Sequence, residues 1–131
     1  MTLLLVALGA VVGAPLRFWT ERRLHSAYPW GTFVVNVLGS LVLGVLGGLL
    51  LAPSPPSHGW VLLVGVGFCG SLTTFGGFAA QVLDLALVPR EVAGGQRAVR
   101  SAAYALATLV VCVGVAGLGF VSAAALTGGS G

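Results

Sequence analysis

The sequence predicts an all-α integral membrane protein with four transmembrane helices, the third of them broken at mid-membrane. Three observations lead there. Of its 131 residues, 57% are hydrophobic and 7% charged, against roughly 25% charged in an ordinary soluble domain. No Asp, Glu, Lys or Arg occurs from Leu24 to Leu83 or from Ser101 to Gly131, and about 20 apolar residues suffice to cross a hydrocarbon core. The stretch Gly70-Ser71-Leu72-Thr73-Thr74-Phe75-Gly76-Gly77-Phe78 places glycines and hydroxyls where such a helix should be most regular. The length leaves room for a single domain, residues 1–131.

The first span covers about 2–19 and the second about 31–52. Pro53-Ser54-Pro55-Pro56-Ser57 then ends any helix, because proline lacks the N–H and clashes with the preceding turn. The third span covers about 59–88, Pro89 to Arg97 forms a polar loop, and the fourth span covers about 98–126. The Gly128-Gly129-Ser130-Gly131 tail has the composition of a flexible linker. Trp19, Trp30 and Trp60 stand at span ends, where indole rings favour the headgroup region. No positive segment precedes Leu3, so a cleaved signal peptide is not expected.

Orientation follows from arginine. The chain has no lysine, and its six arginines all fall at one side: Arg17 near the end of span one, Arg22 and Arg23 after it, and Arg90, Arg97 and Arg100 before span four. The positive-inside bias places the loops 20–30 and 89–100 in the cytoplasm and both termini outside.

Span three is expected to consist of two half-helices, Trp60 to Cys69 and Phe78 to Val88, joined by an unwound segment. An unbroken helix of that length would measure about 45 Å against a core of about 30 Å. Unwound backbone costs several kcal/mol per unpaired group in lipid, so the break must face protein, water or ions. Broken helices at this depth build ion or substrate sites, with carbonyls turned to cations and half-helix N-termini to anions. A close-packing seam of small residues is the structural alternative.

Two polar stripes accompany the break. Thr32, Asn36, Ser40, Gly44 and Gly48 follow at four-residue steps on span two, and Tyr104, Thr108 and Cys112 do so on span four. Each stripe alone could serve interhelical hydrogen bonding. With the broken span they suggest a hydrated path lined by donors, and donors without fixed carboxylates suit an anion. Asp84 is expected near the cytoplasmic end, paired with Arg90 or Arg100. Cys69 and Cys112 lie in apolar runs and imply neither disulfide nor zinc site, and His25 and His58 stand in loops away from any triad or metal cluster. An enzyme is not expected, and a net charge of +3 does not suit a nucleic-acid surface.

Three motifs then resemble the Fluc (CrcB) fluoride channels over nearly the whole chain: Gly9-x-x-x-Gly13-x-x-x-Arg17, Gly31-Thr32-x-x-x-Asn36-x-x-Gly39-Ser40, and Gly67-Phe68-Cys69-Gly70-Ser71-Leu72-Thr73-Thr74-Phe75. The resemblance implies a dimer of two antiparallel subunits in a bacterial inner membrane, exporting fluoride passively. It also implies a structural sodium ion, not transported, held by the backbone carbonyls of Gly70 and Thr73. The fluoride pathway would include Asn36, Thr74, Phe75, Phe78, Tyr104 and Thr108, with phenylalanine ring edges replacing some anion hydration. Arg17 would draw anions to one mouth or, equally, snorkel at the interface.

Several positions depart from the family pattern. Gly76 and Gly77 stand where hydroxyl residues are common, Ala79 and Gln81 replace polar and acidic residues, and Cys112 stands where serine is expected. Many members insert in both orientations with little arginine bias, unlike this chain. Its partner is therefore expected to be either a second copy or a separately encoded, oppositely oriented paralogue. A small multidrug-type transporter would need an acidic residue within span one, and none precedes Glu21. A non-conducting assembly subunit, with stripes serving packing alone, is the other alternative.

Overall fold

The computed structural model describes residues 1–24, 28–88 and 94–128. Helix α1 is Thr2–Arg23 and α2 is Trp30–Leu49. One helical turn, α3 (His58–Trp60), leads into a π-helical segment, Val61–Cys69, and a second short turn, α4 (Gly70–Leu72). Helix α5 is Phe75–Leu87 and α6 is Gly94–Gly128. The described residues contain no strand, and they supply four helical runs long and apolar enough to cross a membrane.

Boundaries differ from the sequence expectation in instructive ways. Helix α1 continues past Trp19 to Arg23, and Arg22 and Arg23 lie against the rings of Phe18 and Trp19, one turn back. Aromatic support and favourable charge at a helix C-terminus make those last turns stable. The loop expected to reach Arg97 is shorter: α6 already begins at Gly94 and extends to Gly128, beyond the expected 98–126. At 35 residues, α6 measures about 50 Å, so its arginine-bearing turns project past the apolar length a bilayer requires. His25, Arg90 and the last three tail residues, Gly129 to Gly131, lie outside the described residues.

Small residues decide which helices touch. Helix α2 packs along α6, and α1 packs against the π-helical segment and α4. A Cβ on Gly67 would stand 2.6 Å from the Val6 carbonyl oxygen, so only glycine allows α1 and the π-helical segment this approach. Likewise a Cβ on Gly44 would run into the Ala116 carbonyl and one on Gly48 into the Phe120 carbonyl. With lipid as apolar as the side chains, such backbone proximity supplies the dispersion contact that holds membrane helices together. The Tyr28 ring meets Tyr104 edge-on at 5.5 Å, which brings the α1–α2 connection beside the early turns of α6. The arginine-bearing ends of α1 and α6 therefore share one end of the molecule.

Candidate functional site

Helical geometry stops at Leu72 and resumes at Phe75, which leaves Thr73 and Thr74 extended (φ −78°, ψ 155° and φ −148°, ψ 116°). The interruption is thus narrower than the Gly70 to Gly77 segment expected from composition. Gly70, Ser71, Gly76 and Gly77 are all helical, because hydrogen bonds of Thr73 and Thr74, together with Asn36, accomplish the turn. The Thr73 amide and hydroxyl both donate to the Cys69 carbonyl at 2.9 Å, closing α4. The Thr74 hydroxyl accepts from the Gly77 amide at 2.9 Å, an N-cap that starts α5. Between them, Asn36 of α2 reaches across. Its Oδ1 accepts from the Thr74 amide at 2.9 Å and its Nδ2 donates to the Thr74 carbonyl at 3.3 Å.

These bonds redirect two backbone donors. In a continuous helix the Thr74 amide would serve the Gly70 carbonyl, and the Gly77 amide would serve the Thr73 carbonyl. Here the first goes to Asn36 and the second to the Thr74 hydroxyl. The carbonyls of Gly70 and Thr73 thereby lose these helical donors. No group of three or more His, Cys, Asp or Glu side chains comes together among the described residues.

Beside the break lies an open groove of about 240 Å³, lined chiefly by Asn36, Ser40, Thr74, Phe75, Phe78 and Thr108, with Thr73 and Cys112 at its wall. That volume holds an ion with several waters. Its lining carries no ionisable carboxylate or arginine. The Phe75 and Phe78 rings stand 6.1 Å apart, and the two differ sharply in exposure: Phe78 is 9% exposed and Phe75 80%. A Cβ on Gly70 or Gly76 would meet nothing within 4 Å. Among the described residues, nothing covers this face of the break.

Of the residues expected from sequence, Asn36, Thr74, Phe75, Phe78 and Thr108 converge on the groove, and Gly70 and Thr73 belong to the adjoining break. Tyr104 does not line the groove. It is 1% exposed, packed between Phe78 and Tyr28, and its hydroxyl has no hydrogen-bond partner among the described residues. Arg17 sits half-buried on α1, also outside the lining. Ser40 and Cys112, members of the two stripes, also line the groove, together with the apolar Leu43 and Leu109. The stripe on α2 divides by depth: Asn36 and Ser40 face the groove, whereas Gly44 and Gly48 press against α6.

Donor hydrogens are unevenly available. Thr108 gives its hydroxyl hydrogen to the Tyr104 carbonyl at 2.8 Å, and Thr73 gives its own to Cys69. Thr74 only accepts, from Gly77, and keeps its hydrogen. Asn36 retains the second hydrogen of its amide after donating one to Thr74. Ser40 makes none of the hydrogen bonds found among the described residues, so its hydroxyl is open to the groove. Asn36, Ser40 and Thr74 are the donors left for a ligand.

Four apolar helical runs, close-packed through glycine, with a groove that carries a few polar side chains beside an interrupted helix, define a small multi-pass membrane protein. Residues 4–120 match the family described as CrcB-like protein, Camphor Resistance (CrcB), and the chain belongs to that family. It is 40% identical over 122 residues to the fluoride-specific ion channel FluC 2 of Rhodococcus jostii, covering 92% of this chain and 96% of that one. It is 43% identical over 123 residues to FluC 2 of Synechococcus sp. (strain CC9902), with 90% and 76% covered. To FluC 1 of Frankia casuarinae it is 47% identical over 94 residues, with 66% and 73% covered. These relatives bear the names of ion channels, not of enzymes.

Proposed function

We propose that this chain forms a fluoride-selective channel that lowers cytoplasmic fluoride by passive export across a bacterial inner membrane. The observation that carries the reading is the groove itself: three uncommitted donors, Asn36, Ser40 and Thr74, in a groove also lined by Phe75 and Phe78, with no fixed charge among its lining residues. A small anion crossing apolar surroundings needs its water replaced by N–H, O–H and positive ring edges. A fixed carboxylate would repel it, and a fixed arginine would hold it. The relatives' names supply the identity of the anion.

The broken segment has a second role in this reading. The carbonyls of Gly70 and Thr73 would hold a structural sodium ion, which supplies positive charge at the centre without being transported. Two carbonyls alone do not enclose such an ion, and a matching pair from a second subunit would add two more oxygen ligands. The uncovered face formed by Gly70, Gly76 and Phe75 supports a second subunit completing the shell. That subunit would stand antiparallel, as either a second copy or an oppositely oriented paralogue. The arginine bias favours the paralogue, since six arginines at one end fix a single orientation for this chain. The numbering of relatives as FluC 1 and FluC 2 agrees with paired genes. Loops 20–30 and 89–100 would then be cytoplasmic.

Expression in a bacterium lacking its own fluoride exporter tests the reading. Growth at fluoride concentrations that stop the parent strain is expected, either for this chain alone or with a homologue of opposite arginine bias. Failure of both would refute it. Reporters fused to each terminus should report one orientation; equal populations of the two would remove the paralogue requirement.

A further inference from the structure

We propose that Asn36 is a positioning residue for the cation cage as well as a lining residue of the groove, so that one side chain links the two. The inference rests on the reading above that the Gly70 and Thr73 carbonyls hold a cation. It adds what keeps the first of them free.

The geometry is that of a clamp. Both polar atoms of the Asn36 amide are joined to the backbone of Thr74, Oδ1 to its amide at 2.9 Å and Nδ2 to its carbonyl at 3.3 Å. Thirty-eight residues separate the partners, so the pairing imposes on Thr74 the extended backbone seen there, as a strand neighbour would. If the clamp opened, the Thr74 amide would need another acceptor, because an unpaired amide is costly away from water. The nearest acceptor along the chain is the Gly70 carbonyl, its ordinary helical partner. Closing that bond would rewind the break by one residue and remove a cation ligand. Gly39, one turn beyond Asn36 on α2, leaves room for Thr73, since a Cβ there would run into the Thr73 methyl. Helix α2 thus shapes both residues of the break.

The same amide borders the groove with its remaining hydrogen. An anion drawn to that N–H pulls on the group that keeps Thr74 extended, and a cation held by the carbonyls favours the same extended state. Cation occupancy and groove geometry then become two readings of one backbone conformation.

The test measures sodium binding rather than flux. Thermal unfolding of the purified channel in detergent is followed against sodium concentration, with N-methylglucamine keeping ionic strength constant. The unsubstituted channel should gain stability with sodium. Asn36→Ser should raise the half-saturating sodium concentration at least tenfold. Thr108→Val, which alters the groove without touching the break, should leave that concentration unchanged. Loss of fluoride flux in Asn36→Ser with unaltered sodium dependence would overturn the inference and leave the proposed sodium site standing. No sodium dependence in the unsubstituted channel would instead overturn the sodium site, and the inference with it. Should Asn36→Ser fail to fold, hydrogen exchange on the unsubstituted channel decides. Sodium should slow exchange of the Thr74 amide, and unchanged exchange there, with stabilisation elsewhere, would refute the clamp.

Discussion

Replacing Thr74 by valine separates the two duties of one hydroxyl. The substitution keeps the side chain's shape and β-branching while removing the oxygen that caps α5 through the Gly77 amide at 2.9 Å. Losing a threonine N-cap costs about 0.5–2 kcal/mol. Gly77 is half-buried, so water can serve part of the freed amide and the cost should be about 1 kcal/mol. For a chain of this size that corresponds to a fall of about 3–5 °C in the unfolding midpoint. The same change deletes one of three uncommitted donors in the groove. A hydrogen bond to a charged partner contributes about 1.5–3 kcal/mol, which predicts a fluoride flux lowered roughly 10- to 100-fold. Thr74→Ser should restore both properties, because the hydroxyl alone does the work. Detergent unfolding monitors the cap, and a fluoride electrode on proteoliposomes monitors the groove. A Thr74→Val channel with unchanged stability and unchanged flux would refute the reasoning.

Other predictions follow from the contacts. Phe75→Ala should leave stability of the folded chain within about 0.5 kcal/mol, as expected of an exposed side chain, and still abolish fluoride flux; equal loss of assembly would point to packing instead. Gly44→Leu should prevent α2 from meeting α6 at Ala116, and size-exclusion chromatography should show an aggregated product. Gly39→Ala should cost about 1–3 kcal/mol through overpacking against Thr73, read from the unfolding midpoint. Gly70→Ala meets no obstacle among the described residues, so it should spare folding and weaken subunit association, measured by crosslinking in liposomes.

How much of this was legible in the sequence varies with the kind of signal. The spans were, because charge depletion over Leu24 to Leu83 is a composition-level effect that no tertiary contact can reverse. Their ends were less so. The cation–π support that carries α1 to Arg23, and the early start of α6 at Gly94, depend on neighbours rather than propensity. The interruption was legible as a cluster of poor helix formers, yet its width was not, since glycines in a packed membrane helix tolerate helical geometry. The groove residues on α2 and α6 announced themselves by four-residue spacing. Spacing could not separate the groove-facing Asn36 and Ser40 from the packing Gly44 and Gly48, because one helix face meets different neighbours along its length. Tyr104 shared the stripe of Thr108 and Cys112 and still turned inward, where Phe78 and Tyr28 enclose it. The pairing of Asn36 with the Thr74 backbone left no local trace, since its partner is 38 residues away.

The central claim, selective fluoride conduction through this groove, is tested most directly by efflux from liposomes loaded with fluoride or chloride. The chain is reconstituted alone and together with a homologue of opposite arginine bias. Rapid fluoride loss with chloride retained, in either preparation, is the predicted result. Fluoride retained in both preparations, or chloride escaping as fast as fluoride, would contradict the account.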